Sequence, residues 1–505
     1  MPARSVSLPE SGFEVTAVGY ETSNSSARPV FFDCRANRAR LDMTRTGPLS
    51  HPSSPALLSA LVLLLISLAA WPAASSADTA TTPEIQPGDV YVPGELIVQY
   101  KGNETPQLVD IPESADAENV AELLEEKPQV VTASPNYIAR ISSWLPDDSG
   151  KNPPALGRVG GWQQKQWNFL PCLSLCHPGA STGPQSLGGM NTLRAWRELR
   201  KAGRPGARGV KVAVLDTGVA YRNYGRRFLR DPDLERKTFL PGYDFVDRDR
   251  MPLDRNGHGT HVTSTIAQST DNGVGLTGIA YGARIMPVRV MDANGFGTTE
   301  NITAGLRWAV DHGARVISMS INFACGASIP ILEDALAYAN SRGVTLVGSS
   351  GNKGSQTCPS LPATAPQVIS VGGSTESGCI ANYSFRSDAI DIAAPGGGST
   401  TSGCPQRTGN RPILQVGMIG QDPAWFGIQP GWKGTSMAAA HIAGAAAMVI
   451  ASGVLTGKQG PRQVKERLYA TARMPSYAAA DPLSGFGAGI VNLGRAVNPK
   501  VITTR

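Results

Sequence analysis

Four short stretches of the chain hold residue types that could act together on a carbonyl group. The first, "GWKGTSMAAAHIAG" (431–444), puts Thr435 and Ser436 at the head of an apolar run that continues to Ile450. A helix that apolar is buried. A hydroxyl in its first turn is then either a cap that accepts a backbone N–H, or a nucleophile placed where the helix dipole favours negative charge. The second stretch, "VKVAVLD", ends in Asp216, which either starts a turn or orients another group. The third, "NGHGTHVTSTIA", sets His258 between Gly257 and Gly259, just ahead of a helical pattern. His258 and His261 could also be a capping and a core histidine. A zinc pair is a poor match, because the glutamate of H-E-x-x-H is missing. The fourth, "LVGSSGN", ends at Asn352, a turn former whose amide could also donate to an oxyanion. Each stretch has a structural explanation when taken alone. Together they supply the nucleophile, base, orienter and oxyanion donor of covalent acyl transfer.

Such residues need a scaffold that holds them at strand ends and helix starts. From Arg208 onward the chain offers one. "GVKVAVLD", "ARIMPVRVM", "ARVISMSI", "GVTLVGSS", "QVISVGG" and "IDIAAPGG" are short, nearly continuous apolar runs, as in strands buried on both faces. Helical patterns alternate with them at 260–269, 299–312, 331–342 and 435–452. The alternation predicts an α/β fold with a doubly wound, mostly parallel sheet and helices on both faces. Ligands of such sheets gather at the carboxyl ends of the strands. Upstream, "GELIVQY" alternates like a strand, "AENVAELLEEK" has helical spacing, and "VVTASPNYIARI" reads as a strand pair. This predicts a separate small α+β unit.

Composition narrows the class. A hydrophobic content of 41% and a charged content of 17% over 505 residues describe a globular chain. The net charge of +6 is mild and partly scattered over Arg226, Arg227 and Arg230, without a dense basic run interleaved with aromatics, so no nucleic-acid partner is expected. "ALLSALVLLLISLAAW" (56–71) is shorter than the roughly 20 residues of a spanning helix, and "PAASSAD" follows it with Ser75 and Ala77 placed for cleavage. It reads as a secretory signal beginning at Met43, which makes 1–42 an over-extended start. A membrane association is expected only if the signal is an uncleaved anchor. Of the seven cysteines, Cys34 precedes the signal; the other six suit an oxidising compartment.

"AVLDTGV", "NGHGTHV", "SSGN" and "GTSMAAAHIAG", in that order, resemble the subtilisin-like serine peptidases, the subtilases. The likeness runs from about Gln166 to Val497, and "PGELIVQY…SPNYIARI" resembles the family's inhibitory propeptide. It implies 43–77 as signal peptide, 78–145 as propeptide and intramolecular inhibitor, and 146–505 as peptidase domain with a linker at 146–161. It implies a secreted or extracytoplasmic endopeptidase acting on protein or peptide substrates. Ser436 would be the nucleophile, His258 the base, Asp216 its orienter and Asn352 an oxyanion donor. Two stretches would flank the substrate as strands: Gly295, Phe296 and Gly297, and Ser320, Ile321 and Asn322. The resemblance also pairs Cys325 with Cys358 and Cys379 with Cys404, leaving Cys172 and Cys176 to each other or free.

Calcium is the cofactor expected. Asp244, Asp247, Asp249 and Asp254 crowd the segment before His258, and calcium accepts six to eight oxygens in flexible geometry. Arg248, Arg250 and Arg255 could neutralise the cluster instead. The thermitase-like branch of the family has a similar loop, matched by Asp244, Asp247 and Asp249. The family's other calcium loop is matched by Asn272 and the carbonyls of Val274 and Leu276.

The chain departs from the family in places. Two glycines of the substrate strand are Asn322 and Phe323, which predicts a narrower or reshaped cleft. Ala440 replaces a proline, and Ser264 a glycine. These departures also admit a catalytically silent subtilase that binds peptides or serves in assembly. "LDTGV" further matches the D-T-G of aspartic peptidases, but those need two carboxylates in one site and the chain has a single D-T-G.

Overall fold

The computed structural model describes residues 91–103, 105–137, 144–156, 159–172, 184–354, 360–401, 404, 410–455, 459–475, 478 and 485–501. The expected extended start and signal lie outside the described residues, as do Cys176 and Cys358.

The site-bearing sheet has seven strands, all paired in parallel: β4 (Lys211–Asp216), β5 (Tyr243–Asp244), β6 (Arg284–Arg289), β7 (Val316–Met319), β8 (Thr345–Ser349), β9 (Val368–Ser374) and β10 (Ile392–Pro395). Their order is β10-β9-β8-β7-β4-β6-β5. Side chains alternate across a strand, so β4 feeds two cores. Val212 and Val214 pack with the helices Thr192–Lys201, His258–Ala267 and Thr435–Ser452. Ala213 and Leu215 pack with Thr299–Asp311 and Pro330–Ser341. The sheet is therefore doubly wound, as the continuous apolar runs predict.

The Thr435–Ser452 helix is apolar on every side because it is walled in on every side. It packs on β7, β8, β9 and β10 and on two neighbouring helices. It is long and apolar enough to cross a membrane, yet nearly all of it is buried in the core. Gly444 sits where a Cβ would fall 2.1 Å from Ile279 Cγ2, so only glycine lets these elements approach so closely.

The upstream unit is a three-stranded antiparallel sheet, β2-β1-β3, with a helix. β1 spans Tyr91–Tyr100, β2 Gln107–Asp110 and β3 Val130–Tyr137; the helix Ala117–Glu125 is capped by Asp116. The expected strand pair after Val130 is one strand as far as Tyr137. A second hairpin that periodicity did not suggest, β11 (Val416–Met418) with β12 (Phe426–Ile428), packs on the His258 helix.

Candidate active site

Asp216 is the last residue of β4 and is 1% exposed. Its Oδ1 lies 2.7 Å from His258 Nδ1 and also accepts the Thr217 N–H at 2.8 Å. His258 opens its helix after Gly257, whose φ of 102° brings the chain sharply round. A fifth of the His258 side chain remains exposed. Burial alone would depress its pKa. The charge and hydrogen bond of Asp216, with Asp254 behind them, outweigh burial and hold it above the usual 6.5. Asp254 organises this loop, which sequence reading had assigned only to a charge cluster. Its carboxylate accepts from Asn256 N, Gly257 N, Thr217 Oγ1 and both Thr260 N and Oγ1. An Asp two residues before Asn-Gly was the available signal, since Asx turns bond forward in this way.

His261 and His441 are core groups. Burial lowers them to about 3 and about 4, and each bonds a backbone carbonyl, of Ile413 and Met437 respectively. The zinc pair of His258 and His261 falls away, since His258 faces Asp216 and His261 is buried against the Ile413 carbonyl. The single D-T-G carboxylate faces an imidazole rather than a second carboxylate, so the aspartic-peptidase reading falls away too.

The helix Thr435–Ser452 starts at Gly434 with no side-chain cap. Thr435 Oγ1 instead accepts from Gly351 N at 3.1 Å and donates to Asn352 Oδ1 at 2.9 Å; Thr435 N donates to the same oxygen at 2.8 Å. Both bonds fix the carbonyl side of the Asn352 amide, so its NH₂ is turned the other way and bonds none of the described residues. The sequence marks Thr435 as a cap candidate, whereas its role in the structure is to aim Asn352. Ser436 is 9% exposed, and its Oγ bonds no described residue, His258 Nε2 included. Unliganded catalytic hydrogen bonds are often long in this way. Trp432, four residues before Ser436, bridges the two halves: its ring lies 5.6 Å from that of His258 and 5.2 Å from that of His261.

The expected substrate edges are present but not as regular strands. Ser320 Oγ donates to Ser436 O at 3.1 Å, and Ile321 is buried. Asn322 turns its amide inward, donating to Ser349 O at 2.7 Å and accepting from Ser349 Oγ at 3.1 Å. A cavity of about 450 Å³ beside it is lined in part by Ser360, which Asn322 Nδ2 also meets at 3.4 Å. Residues 292–297 form a turn: Asp292 Oδ1 accepts from Phe296 N, and Asp292 N donates to Phe296 O. Gly295 sits at φ 83°, and Phe296 is 75% exposed.

Asp244, Asp247 and Asp249 do not fit a calcium ion. The cation at this place is Arg289, whose Nη1 lies 2.7 Å from Asp244 Oδ2 and 3.0 Å from Asp247 Oδ2. Arg255 takes Asp247 as well, and Asp249 Oδ1 accepts from Met251 N. Arg289 escaped notice because it is distant in sequence; the parallel register sets it beside Asp244 on one side and Asp216 on the other.

The second loop is different. Asp233, fully buried, accepts from Asn272 Nδ2 at 2.8 Å and Leu276 N at 2.9 Å. Asp148, also fully buried, accepts from Asp271 N and keeps Oδ1 without a partner. Burial raises Asp148 to about 7 and Asp233 well above its usual value, each opposed by hydrogen bonds. No group of three His, Cys, Asp or Glu forms a metal cluster among the described residues. The donors here are two carboxylates, an amide and carbonyls, a hard oxygen set of the kind calcium takes.

Cys379 and Cys404 form a disulfide, as expected. Cys172 and Cys325 are also disulfide-bonded, and both of their expected partners lie outside the described residues.

The sequence profile of the subtilase family matches residues 207–489 of this chain. The chain belongs to the subtilase family. It is a subtilisin-like serine endopeptidase. This subtilase is 31% identical over 385 residues to the thermophilic serine proteinase of Bacillus sp. strain AK1, covering 72% of this chain and 79% of that one. It is 33% identical over 293 residues to thermitase of Thermoactinomyces vulgaris, covering 57% and 88%. A solved structure of proteases from Pseudoalteromonas arctica superposes with a TM-score of 0.53 at 28% identity, covering 70% of this subtilase and 99% of that chain.

Proposed function

We propose that this subtilase is a secreted endopeptidase that cleaves peptide bonds through an acyl-enzyme formed on Ser436. The observation that carries this reading is the Asp216–His258 pair at the end of β4, together with the uncapped helix start at Ser436 and an Asn352 amide aimed by Thr435. Ser436 Oγ attacks the scissile carbonyl carbon. His258 takes its proton and returns it to the leaving amine. Asp216 keeps the proton of neutral His258 on Nδ1, leaving Nε2 free to act as base. The Asn352 NH₂ and the Ser436 N–H receive the oxyanion. Water then repeats the sequence on the ester. The experiment for this reading is active-site labelling, described at the end of the Discussion.

Thr435→Val should keep the fold and remove one of the two bonds that hold Asn352, leaving the backbone N–H bond in place. The expected result is a kcat lower by about tenfold with little change in KM, the size of one lost hydrogen bond to an oriented group. An unchanged kcat would remove Thr435 from the account.

Asn322 stands where the family resemblance implies a glycine, and we assign it to the wall of the pocket for the side chain before the scissile bond. Asn322→Gly should raise kcat/KM for a bulky aromatic residue there by about tenfold relative to alanine, within the range of pocket-size effects. The ratio is read from two matched peptides.

We assign the unit expected at 78–145 to an inhibitory propeptide that ends before Trp144. Trp144 Nε1 and Asp147 N both donate to Asp271, and Gly150 N donates to Gly275 O, so the chain from Trp144 onward is stitched to the 271–276 loop. First cleavage therefore belongs between Tyr137 and Trp144. Export is supported by the signal pattern and by the Cys379–Cys404 disulfide.

At the 271–276 loop we assign one structural calcium to Asp148, Asp233, Asn272 and the carbonyls of Val274 and Leu276. The ion would supply charge to two buried carboxylates and would take no part in the reaction. Ser436→Ala protein, which cannot digest itself, should melt several degrees higher with excess calcium than with EGTA, since ~2.7 kcal/mol accompanies a hundredfold excess over Kd. Asp233→Asn should abolish the difference and Asp247→Asn should keep it. Superimposable curves for the parent protein would exclude the ion.

A further inference from the structure

The ten residues "YRNYGRRFLR", 221–230, contain four arginines and no carboxylate. They form a hairpin. Tyr224 and Phe228 exchange backbone hydrogen bonds of 2.9 and 3.3 Å, and Gly225, at φ 59°, makes the turn that leaves Arg226 and Arg227 exposed at the tip. The base is closed by Arg230 N donating to Asn223 Oδ1 at 2.7 Å and by Asp231 N donating to Ala220 O at 2.9 Å.

This hairpin is fastened to the machinery around His258. Ala220 N donates to Thr260 Oγ1 at 3.0 Å, in the His258 helix. Arg255, three residues before His258, lies over the Phe228 ring at 5.9 Å. Leu229 N donates to Pro423 O at 2.8 Å, in the turn between β11 and β12. Met418 of β11 in turn lies against Gly257 and places its sulfur 3.9 Å from Thr260 Oγ1.

Like charges held this close repel unless anions join them. Among the described residues Arg222, Arg226 and Arg227 form no ion pair. Of the acids in the adjoining loops, Asp247 is paired with Arg255 and Arg289, while Asp249 and Asp422 accept backbone N–H groups of Met251 and Ala424 and form no ion pair with the hairpin arginines among the described residues. Arg227 lies over the Phe228 ring at 5.7 Å, and Arg222 meets the Met251 sulfur at 3.8 Å and the Tyr221 hydroxyl.

We propose that this arginine hairpin walls the leaving-group side of the cleft and recognises carboxylates in the substrate segment that follows the scissile bond. The inference rests on the catalytic reading above. The acyl half of the substrate belongs with Ser320, which bonds the Ser436 carbonyl. The leaving amine receives its proton from His258, so the departing strand starts at His258 and continues over the solvent-accessible groups tied to that residue's helix, Phe228 and the hairpin. An extended strand advances ~3.3 Å per residue. On that spacing the tip is assigned to positions about two to five residues beyond the bond. Exposed pairs are individually weak, but a cationic rim also speeds encounter with an acidic substrate. The effect therefore belongs in kcat/KM and is sensitive to salt.

The test uses quenched-fluorescence peptides identical up to the scissile bond, with Glu, Gln or Lys at positions two to five beyond it. The parent enzyme should favour the Glu peptide over the Gln peptide by about three- to tenfold in kcat/KM at low salt, and approach parity at about 1 M salt. Arg226→Gln/Arg227→Gln should lose most of that preference, and Arg226→Glu/Arg227→Glu should turn it toward Lys. Labelling of each variant by a fluorophosphonate checks that it is folded. Equal cleavage of Glu and Gln peptides by the parent, or a preference that survives both double variants, would overturn the proposal. Anisotropy binding of the same peptides to Ser436→Ala protein separates the two readings. Preferential Glu binding supports the hairpin even where no cleavage occurs. Binding that is blind to charge overturns the hairpin even where cleavage proceeds.

Discussion

Ser436→Ala is expected to lower kcat by about 10⁶-fold, the order of loss found when the nucleophile of a subtilisin is removed. The arrangement explains why so little survives. Without Oγ no acyl-enzyme forms, and the remaining catalysis comes only from the Asn352 amide, the Ser436 N–H and binding. Little stability should be lost, because the helix has no side-chain cap to lose and Ser436 Oγ bonds no described residue. The variant should also keep its propeptide covalently attached when produced in isolation. The parent enzyme, by contrast, should show a new N-terminus between Tyr137 and Trp144. N-terminal sequencing reads both outcomes, and a normally processed Ser436→Ala protein would remove self-cleavage from the account.

Asp216→Asn is expected to lower kcat by about 10⁴-fold near neutral pH, through the tautomer rather than the fold. Asp216 Oδ1 receives both His258 Nδ1–H and Thr217 N–H. An asparagine can turn its NH₂ toward Nδ1, which moves the imidazole proton to Nε2 and leaves no base facing Ser436. The pH profile carries an independent sign. Activity needs neutral His258, so kcat/KM rises as pH climbs through the His258 pKa. In the parent that pKa lies above 6.5, because the charge and hydrogen bond of Asp216 overcome burial. In the variant burial is opposed only by the charge of Asp254, so the acid limb should move to lower pH than in the parent. A limb that stays put while activity falls would assign the loss to some other cause.

What the sequence made legible has a common physical character. Asp216, Asn352 and the Ser436 helix lie where an apolar period breaks off, and strand ends are where a parallel sheet must present its chemistry. The two cores were legible for the same reason: continuous apolar strands need cover on both faces. What escaped was settled by register and by orientation. Arg289 neutralises Asp244 because parallel strands lay them side by side, and no local spacing predicts that pairing. Thr435 looked like a cap, yet it spends its hydroxyl on aiming Asn352. The resemblance implies a strand at Gly295, Phe296 and Gly297, but Asp292 folds this stretch into a turn by taking the Phe296 N–H. Asp148 and Asp233 come from distant segments and converge only once the chain beyond Trp144 is stitched to the 271–276 loop.

The central claim is that Ser436 is an activated nucleophile, and active-site labelling tests it most directly. Purified mature protein is treated with a fluorophosphonate probe at neutral pH and mapped by peptide mass spectrometry. The account predicts one phosphonylated residue, Ser436, with labelling slowed strongly in Asp216→Asn and absent in Ser436→Ala. Mature, folded protein that takes up no label at Ser436 would contradict it and leave a peptide-binding subtilase in its place.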